Sequence, residues 1–166
     1  MPFETYPHGR RVIRVDYQLP LETLVRRYRI KPVGYQGRPA DFPPSLAPSD
    51  QPAARLPFTF IRTISATPLS AVEREVSALP GGLRLATLWE TVFAFAAGVR
   101  YGWRFVVPVL VIGSMTDPAG DGLHRLPRIE KIRRVIEIGV YHVRPDKVAE
   151  HFIVPCVASD PSAIDA

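Results

Sequence analysis

Residues 83–102 of the chain, LRLATLWETVFAFAAGVRYG, carry a single charge, Glu90, between Arg84 and Arg100. At helical spacing their apolar side chains form one continuous face, which the rings of Trp89 and Phe93 widen. The members of that face are Leu85, Leu88, Val92, Phe95 and Val99. A helix that is apolar nearly all round is buried on more than one side, so this stretch predicts the central helix of the core.

Two amphipathic helices are predicted before the central one. Apolar residues recur at helical spacing in residues 20–30, and the cations at and just after the end of this segment complement the helix dipole. In residues 67–82, Thr67 is the expected N-cap and Pro68 occupies the first turn. The Pro-Gly-Gly sequence at 80–82 is expected to end that helix.

Several segments rich in β-branched and aromatic residues predict strands, namely 11–19, 58–65, 105–113 and 152–157. Residues 124–143 are ambiguous, because the isoleucine spacing allows either a helix or a strand over residues 128–138. The density of β-branched residues favours a strand from about 132 to 143. Residues 144–152 predict a helical turn.

Together these elements predict a single α+β domain with a mixed sheet of about five strands and three to four helices. Hydrophobic residues make up 46% of the chain and charged residues 22%, which is typical of a globular protein. We divide the chain into a basic strand–helix arm (1–31), a proline-rich extended segment (32–57), an α+β core (58–158) and a polar tail (159–166).

Residues 32–57, PVGYQGRPADFPPSLAPSDQPAARLP, are the unusual part of the chain, with seven prolines. Each proline fixes φ and lacks a backbone donor, so the segment is expected to form neither a helix nor a central strand. A long extended loop of this kind has little to bury. If it is ordered, the rest of the domain or a neighbouring subunit must hold it.

The positive charge is concentrated in the N-terminal quarter. Residues 1–40 hold eight basic side chains against Glu4, Asp16 and Glu22, a net charge of +5 that equals the net charge of the whole chain. A basic region of this kind contacts nucleic acid, an acidic partner or solvent.

Hydropathy predicts a soluble protein. No run reaches the ~20 consecutive apolar residues of a membrane-spanning helix, and the first residues, MPFETYPHGRR, lack the apolar core of a signal peptide. We therefore expect the protein to be cytoplasmic, or to lie within a particle that is assembled in the cytoplasm.

The loop after residues 105–113 contains side chains that enzymes use, namely Ser114, Thr116, Asp117, Asp121 and His124. Ligands gather at the carboxyl ends of strands in α/β sheets, and Ser, His and Asp are the groups of acyl-transfer sites. No nucleophile elbow, phosphate-binding loop or dinucleotide fingerprint accompanies them. The Asp-Pro-Ala-Gly-Asp-Gly sequence is typical of a turn, so we predict a strand and its turn here.

The remaining reactive side chains give no catalytic pattern. Cys156 lies in the apolar sequence VPCV, which predicts a buried and inert thiol. The four histidines, His8, His124, His142 and His151, occur at no metal-ligand spacing, and we expect His142 to be a cross-strand or partly buried imidazole within a strand. We therefore predict no catalytic residue, no cofactor and no metal ligand.

Basic side chains are the candidates for contact with a partner or with nucleic acid. They fall into two groups, the first consisting of Arg10, Arg11, Arg26, Arg27, Arg29 and Lys31, and the second of Arg128, Lys131, Arg133 and Arg134. The second group belongs to the run RLPRIEKIRR at 125–134, in which Glu130 is the only acidic residue.

These features lead us to expect a non-enzymatic structural subunit of a larger multi-protein particle, such as a virion or another large complex. Its proline-rich segment and basic N-terminal arm would be laid against protein subunits of the same assembly. The alternatives are a nucleic-acid-binding module that uses the basic N-terminal quarter and residues 125–134, and a small enzyme with its site on the 114–124 loop.

Overall fold

The computed structural model describes residues 3–5, 11–33, 53–100, 107–116, 120–132, 135–144 and 146–159. The α-helices within this part of the chain are α1 (Leu21–Arg27), α2 (Leu69–Ser77) and α3 (Leu88–Arg100), and Ile112–Ser114 forms a 3₁₀ helix. The strands are β1 (Phe3–Thr5), β2 (Arg11–Asp16), β3 (Lys31–Pro32), β4 (Ala53–Thr63), β5 (Thr67–Pro68), β6 (Leu83–Leu85), β7 (Val109–Leu110), β8 (His124–Ile132), β9 (Val135–Val143), β10 (Val148–Ala149) and β11 (Ile153–Ala158).

Nine of the strands in the described residues form one mixed sheet in the order β1-β4-β11-β7-β8-β9-β3, with β2 also paired to β4 and β6 to β11. The pairs β7–β11 and β3–β9 are parallel, whereas the other pairs are antiparallel. β5 and β10 form a separate two-stranded sheet. The long strand β4 organises the sheet, because β1 and β2 pair along one edge of it and β11 along the other.

Both faces of the sheet are covered, and each has its own hydrophobic core. On one face, the ring of Phe60 from β4 meets the ring of Phe95 from α3 edge-on, with their centroids 6.0 Å apart. The next residue of β4, Ile61, lies in the second core together with Val72 of α2. Helices α1 and α3 therefore cover one face and α2 covers the other, which explains why the central strands are nearly continuous apolar runs.

The mixed α/β single domain is confirmed, but the predicted number of strands was too low. Residues 124–143 form an antiparallel hairpin, with Ile132 opposite Val135, so residues 128–132 and 135–138 are strand. Residues 144–152 include the short strand β10 rather than the predicted helical turn. The long strand predicted at 105–113 is reduced to the two residues of β7, with the 3₁₀ helix after it, and residues 101–106 lie outside the described part.

The three helices are confirmed with shorter bounds. The central helix begins at Leu88 instead of residue 83, because residues 83–85 pair with β11 as strand β6. Helix α2 begins at Leu69, and Thr67 is not its cap. The Thr67 hydroxyl donates to the Ser65 carbonyl oxygen instead, at 3.1 Å, because Thr67 belongs to β5.

The proline-rich segment is partly strand, contrary to expectation. Residues 53–57 belong to β4, and Pro57 lies opposite Val12 of β2, while residues 34–52 lie outside the described part of the chain. Two further prolines, Pro127 and Pro155, also lie inside strands. The carbonyl oxygen of Pro127 accepts a hydrogen bond from Val111 N, and that of Pro155 accepts one from Ala86 N, each at 2.9 Å. Both prolines therefore still bond to a neighbouring segment, although neither has a backbone donor.

The basic N-terminal arm is integrated into the domain over residues 11–30. Strand β2 buries Ile13 and Val15 against the α1–α3 face, and α1 buries Leu24 and Val25 in the same core. The polar tail predicted at 159–166 lies outside the described residues from 160 onward.

We predict that Gly113 of the 3₁₀ helix tolerates no side chain. A Cβ there would lie 2.5 Å from the backbone oxygen of Ala86, and backbone cannot move as freely as a flexible side chain. Gly113→Ala should cost about 2 kcal/mol, measurable as a lower urea midpoint. Gly120→Ala is the control, because nothing lies within 4 Å of its added Cβ. Equal midpoints for the two variants would contradict this assignment.

Candidate functional site

A buried carboxylate lies at the start of α3. Glu90 is fully buried and accepts hydrogen bonds from Tyr17 Oη at 2.6 Å, from Arg84 at 2.7 and 3.1 Å, and from the backbone N of Thr87 at 2.8 Å. Both carboxylate oxygens are used, and Arg84 binds them with two nitrogens in the bidentate geometry that makes such pairs strong. This network joins β6 and the segment after β2 to the first turn of α3.

The pKa values of the network follow from its burial. Burial, and after it the neighbouring Glu90 carboxylate, raise the pKa of the Tyr17 phenol well above its usual range. Burial alone would lower the pKa of Arg84, but the hydrogen bonds and charge attraction of Glu90 outweigh it and raise that pKa. A neutral phenol and a charged guanidinium therefore both donate to Glu90 at ordinary pH.

Thr87 and Glu90 also form a capping box for α3. The Thr87 hydroxyl lies 3.4 Å from Glu90 N, and the Glu90 side chain returns a hydrogen bond to Thr87 N. The sequence Thr87-Leu-Trp-Glu90 carries this signature, which our sequence analysis missed. A third group, Ser114, accepts a hydrogen bond from Leu88 N at 2.7 Å. The donors at the start of α3 are thus bound by side chains.

The candidate enzyme loop at 114–124 is held by its own hydrogen bonds. Ser114 is fully buried and serves α3, whereas His124 Nδ1 donates to the Thr116 carbonyl oxygen at 2.7 Å. The Thr116 hydroxyl accepts from Arg125 N at 3.3 Å. Asp121 accepts from Leu123 N at 3.0 Å, the local hydrogen bond of an Asx turn. Asp117 lies outside the described residues.

The cysteine is buried, whereas two of the histidines are exposed. Cys156 is fully buried in the α2-side core, and burial raises the pKa of its thiol, which favours the unreactive neutral form. His151 is exposed, with φ of 55°. His142 is also exposed and lies in β9 opposite Arg125, so of the two expected arrangements it has the cross-strand one. His8 lies outside the described residues.

Four of the six residues in the first predicted contact group lie at and just after the C-terminal end of α1. We call Arg26, Arg27, Arg29 and Lys31, all of which are exposed, the basic corner. Arg11 is exposed at the start of β2, and Arg10 lies outside the described residues. Of the four side chains, Lys31 has an ion pair, 3.4 Å from Glu137, and Arg27 lies 5.9 Å from the centroid of the Tyr28 ring.

The backbone of Arg29 has an unusual conformation, with φ of 53°. Arg29 N bonds to the Arg26 oxygen and Ile30 N bonds to the Val25 oxygen, so the end of α1 is a Schellman motif. The position that Arg29 occupies is the one that usually carries glycine, because a Cβ costs about 1 kcal/mol in this left-handed region. An arginine is therefore kept where the backbone favours glycine.

One member of the second predicted group, Arg128 of β8, is held in an ion pair. Arg128 pairs with Glu130, donates to Tyr141 Oη at 3.0 Å and lies 4.6 Å from the centroid of the Tyr141 ring. Gly139 lies opposite Arg128 and leaves room for the Arg128 side chain to reach Tyr141, because a Cβ at this position would lie 3.1 Å from Arg128 Nε. Glu130 lies opposite Glu137, so two carboxylates accompany the cations of this surface. Lys131 is half-buried and has a partner, and Arg133 and Arg134 lie outside the described residues.

A groove of about 440 Å³ opens beside the basic corner, between β2, α1 and α3. We call it the α1–β2 groove, and its lining includes Ile13, Arg14, Arg27, Tyr28, Phe93 and Ala97. The rings of Tyr28 and Phe93 meet edge-on with their centroids 6.3 Å apart. Sequence analysis did not predict the groove, because its walls come from segments that are far apart in the chain.

A smaller pocket of about 230 Å³ lies elsewhere, with Leu110, Leu126 and Phe152 beneath Tyr141 and His151. Among the residues that the structure describes, no three His, Cys, Asp or Glu side chains come together as a metal site would require. None of the helices in the described ranges is long and apolar enough to cross a membrane.

Comparison of the chain with protein-family models, curated proteins and solved structures finds no match.

We predict that Glu90→Gln, which removes the charge but keeps the size of the side chain, destabilises the fold. Glu90→Gln leaves the Arg84 guanidinium facing an amide, and breaking a buried pair of this kind should cost about 3 kcal/mol, since Arg84 is partly exposed. Urea unfolding at neutral pH measures this loss. Glu73→Gln is the control, because Glu73 is exposed on α2, and it should change the free energy of unfolding by less than about 0.5 kcal/mol. A Glu90→Gln midpoint equal to the control would show that the network is dispensable.

We predict a specific contribution of Tyr17 to alkaline unfolding. The folded-state pKa of Tyr17 is raised, so above the ordinary value of about 10 the unfolded chain loses this proton first. The stability that Tyr17 supplies is present below that pH and is lost as pH rises toward the folded pKa. Tyr17→Phe should cost about 1.5 kcal/mol at pH 8 and progressively less above pH 10. The free energies of unfolding of wild type and Tyr17→Phe are measured in urea from pH 8 to pH 11. A difference between them that stays constant over this range would contradict the prediction.

Proposed function

We propose that this protein is a non-enzymatic subunit of a larger multi-protein assembly and that it contacts a neighbouring protein through the basic corner. The observation that carries the proposal is the left-handed backbone of Arg29, at φ of 53°. Strained positions of this kind persist where the side chain has a use that outweighs the cost. The exposed guanidinium of Arg29 makes no recorded ion pair within the described residues, so its use lies in a contact outside the domain.

The charge of the basic corner supports an acidic partner. Four cations lie within six consecutive residues, and Glu137 is the carboxylate that pairs with one of them. Salt screens exposed charges over about 8–10 Å, so a cluster acts mainly on a surface that approaches closely. Electrostatic complementarity of this type fixes the register of an interface and accelerates association.

The surface next to the corner favours a protein over nucleic acid. The cations Arg128 of β8 and Lys31 of β3 are paired with Glu130 and Glu137, so the sign of the charge alternates across the strands. A phosphate backbone carries one negative charge after another and would be repelled by these two carboxylates. A protein surface, with both signs and apolar side chains, matches this pattern better.

Nucleic acid remains the second candidate, because the four side chains of the basic corner are all cationic and exposed. The role expected for the proline-rich segment rests on residues 34–52, which lie outside the described part of the chain, and adds no structural support here.

We predict that two substitutions at Arg29 separate backbone strain from contact. Arg29→Gly and Arg29→Ala remove the same guanidinium, but glycine relieves the left-handed strain and should be more stable by about 1 kcal/mol. This corresponds to roughly 2–4 °C in Tm for a chain of this size. Both variants should lose incorporation into large complexes to the same extent, measured by gradient sedimentation of extracts from the source cells. Arg74→Ala, an exposed cation on α2, is the control.

Three outcomes of this experiment would overturn the proposal. The first is wild-type protein that sediments as a free monomer in these extracts. The second is full incorporation of both Arg29 variants. The third is dispersal of the complexes by nuclease treatment, which would favour the nucleic-acid alternative instead.

A further inference from the structure

We propose that the α1–β2 groove binds an extended acidic segment of the partner protein, with one apolar side chain of that segment seated on the rings of Tyr28 and Phe93. The inference rests on the proposed assembly function and names the chemistry of the contact. Its support comes from the shape of the groove, from Arg14 in its lining, which lies opposite Arg55 of β4, and from the position of β2 in the sheet.

The floor of the groove fits an apolar side chain. Tyr28 and Phe93 offer half-buried rings, and Ala96 and Ala97 of α3 leave the space beside them open. A volume of about 440 Å³ is larger than a single side chain and suits a short stretch of peptide. Half-buried aromatic rings next to arginine are typical of the energetically important centre of protein interfaces.

The lining of the groove contains two arginines, Arg14 and Arg27, and one carboxylate, Asp16. Arg14 of β2 lies directly opposite Arg55 of β4, and both side chains are exposed on the same face of the sheet. Like charges in this arrangement are destabilising. Neither guanidinium has a recorded ion pair among the described residues, and the nearby carboxylate of Asp16 accepts a local hydrogen bond from Gln18 N. A carboxylate from a partner, placed between Arg14 and Arg55, would neutralise both.

Arg27 adds a second positive point in the lining of the groove. Acidic side chains and apolar side chains alternate in direction along an extended peptide, as they do along any strand. One peptide can therefore direct a carboxylate to Arg14 and Arg55 and an apolar group to the rings of Tyr28 and Phe93. Neither a purely acidic chain nor a purely apolar one matches both the arginine pair and the apolar floor of the groove.

The position of β2 favours an extended occupant over a helix. Among the strands in the described residues, β2 is paired with β4 along one edge. Strands with an open edge accept a further strand from a partner, because backbone hydrogen bonds give affinity and the alternating side chains give specificity. The groove lies along β2, where such a segment would run.

The test uses a short fluorescein-labelled peptide in which Glu alternates with Leu, with binding to the full chain measured by anisotropy. We expect binding that weakens as salt rises, and we expect Arg14→Ala to weaken it by about tenfold, the loss of one charged hydrogen bond. Ala97→Phe fills the groove and should also abolish binding. Arg74→Ala on α2 is the matched control and should bind like wild type.

Two further peptides test the chemistry of the occupant. A peptide with Lys in place of Glu should not bind, and a peptide of Glu and Ser should bind at least tenfold more weakly, because it lacks the apolar group. Urea midpoints of all variants are measured first, and if Ala97→Phe fails to fold, Arg14→Ala and the two peptides still decide the question.

Several results would overturn the inference. They are equal binding of the Lys peptide, unchanged binding by Arg14→Ala, displacement of the acidic peptide by a single-stranded oligonucleotide, and concentration-dependent self-association that Arg14→Ala removes. The last result would identify a second copy of this chain as the occupant. Arg29 does not line the groove, so Arg29→Gly should keep peptide binding even though it loses assembly, and the two proposals can fail separately.

Discussion

The carboxylate of Glu90 is fully buried, and its hydrogen bonds come from three parts of the chain that are distant in sequence. A charge in such a place is tolerated only when donors surround it, because desolvation of an unpaired carboxylate costs several kcal/mol. Tyr17, Arg84 and the backbone of Thr87 supply these donors. The network fixes where α3 begins and how α3 lies against β2 and β6. The α1–β2 groove depends on the same geometry, since Phe93 and Ala97 of α3 form part of its lining.

The charges of the molecule divide into those that the fold uses and those that it leaves available. Arg84 is paired with Glu90, which also binds the phenol of Tyr17. Arg128 is paired with Glu130 and lies over the ring of Tyr141. The basic corner and the Arg14–Arg55 pair have little compensation of this kind within the described residues. The first set stabilises the domain, and the second set is the part of the surface on which the proposed contacts depend.

Much of the fold could be predicted from local pattern, and the errors have specific causes. The burial of α3 followed from its lack of charge, and β2 followed from its alternation of apolar and polar residues. Strand β8 was difficult to predict because isoleucines in RLPRIEKI match a helix as well as a strand. The seven prolines of residues 32–57 argued against a central strand, yet Pro57 lies in β4. The capping box at Thr87 and Glu90 was readable from the sequence and was missed.

The sequence by itself determined which segments are buried, where the positive charge is concentrated and that Cys156 is an inert core thiol, because each of these depends on composition or on near neighbours in the chain. Only the tertiary structure decided which cations are neutralised, that Arg14 lies opposite Arg55, and that Arg29 ends α1 in a left-handed conformation. Strand register sets the pairing of residues that are far apart in sequence. Apolar periodicity specifies the face on which a side chain lies, but it does not specify the side chain that will lie opposite it.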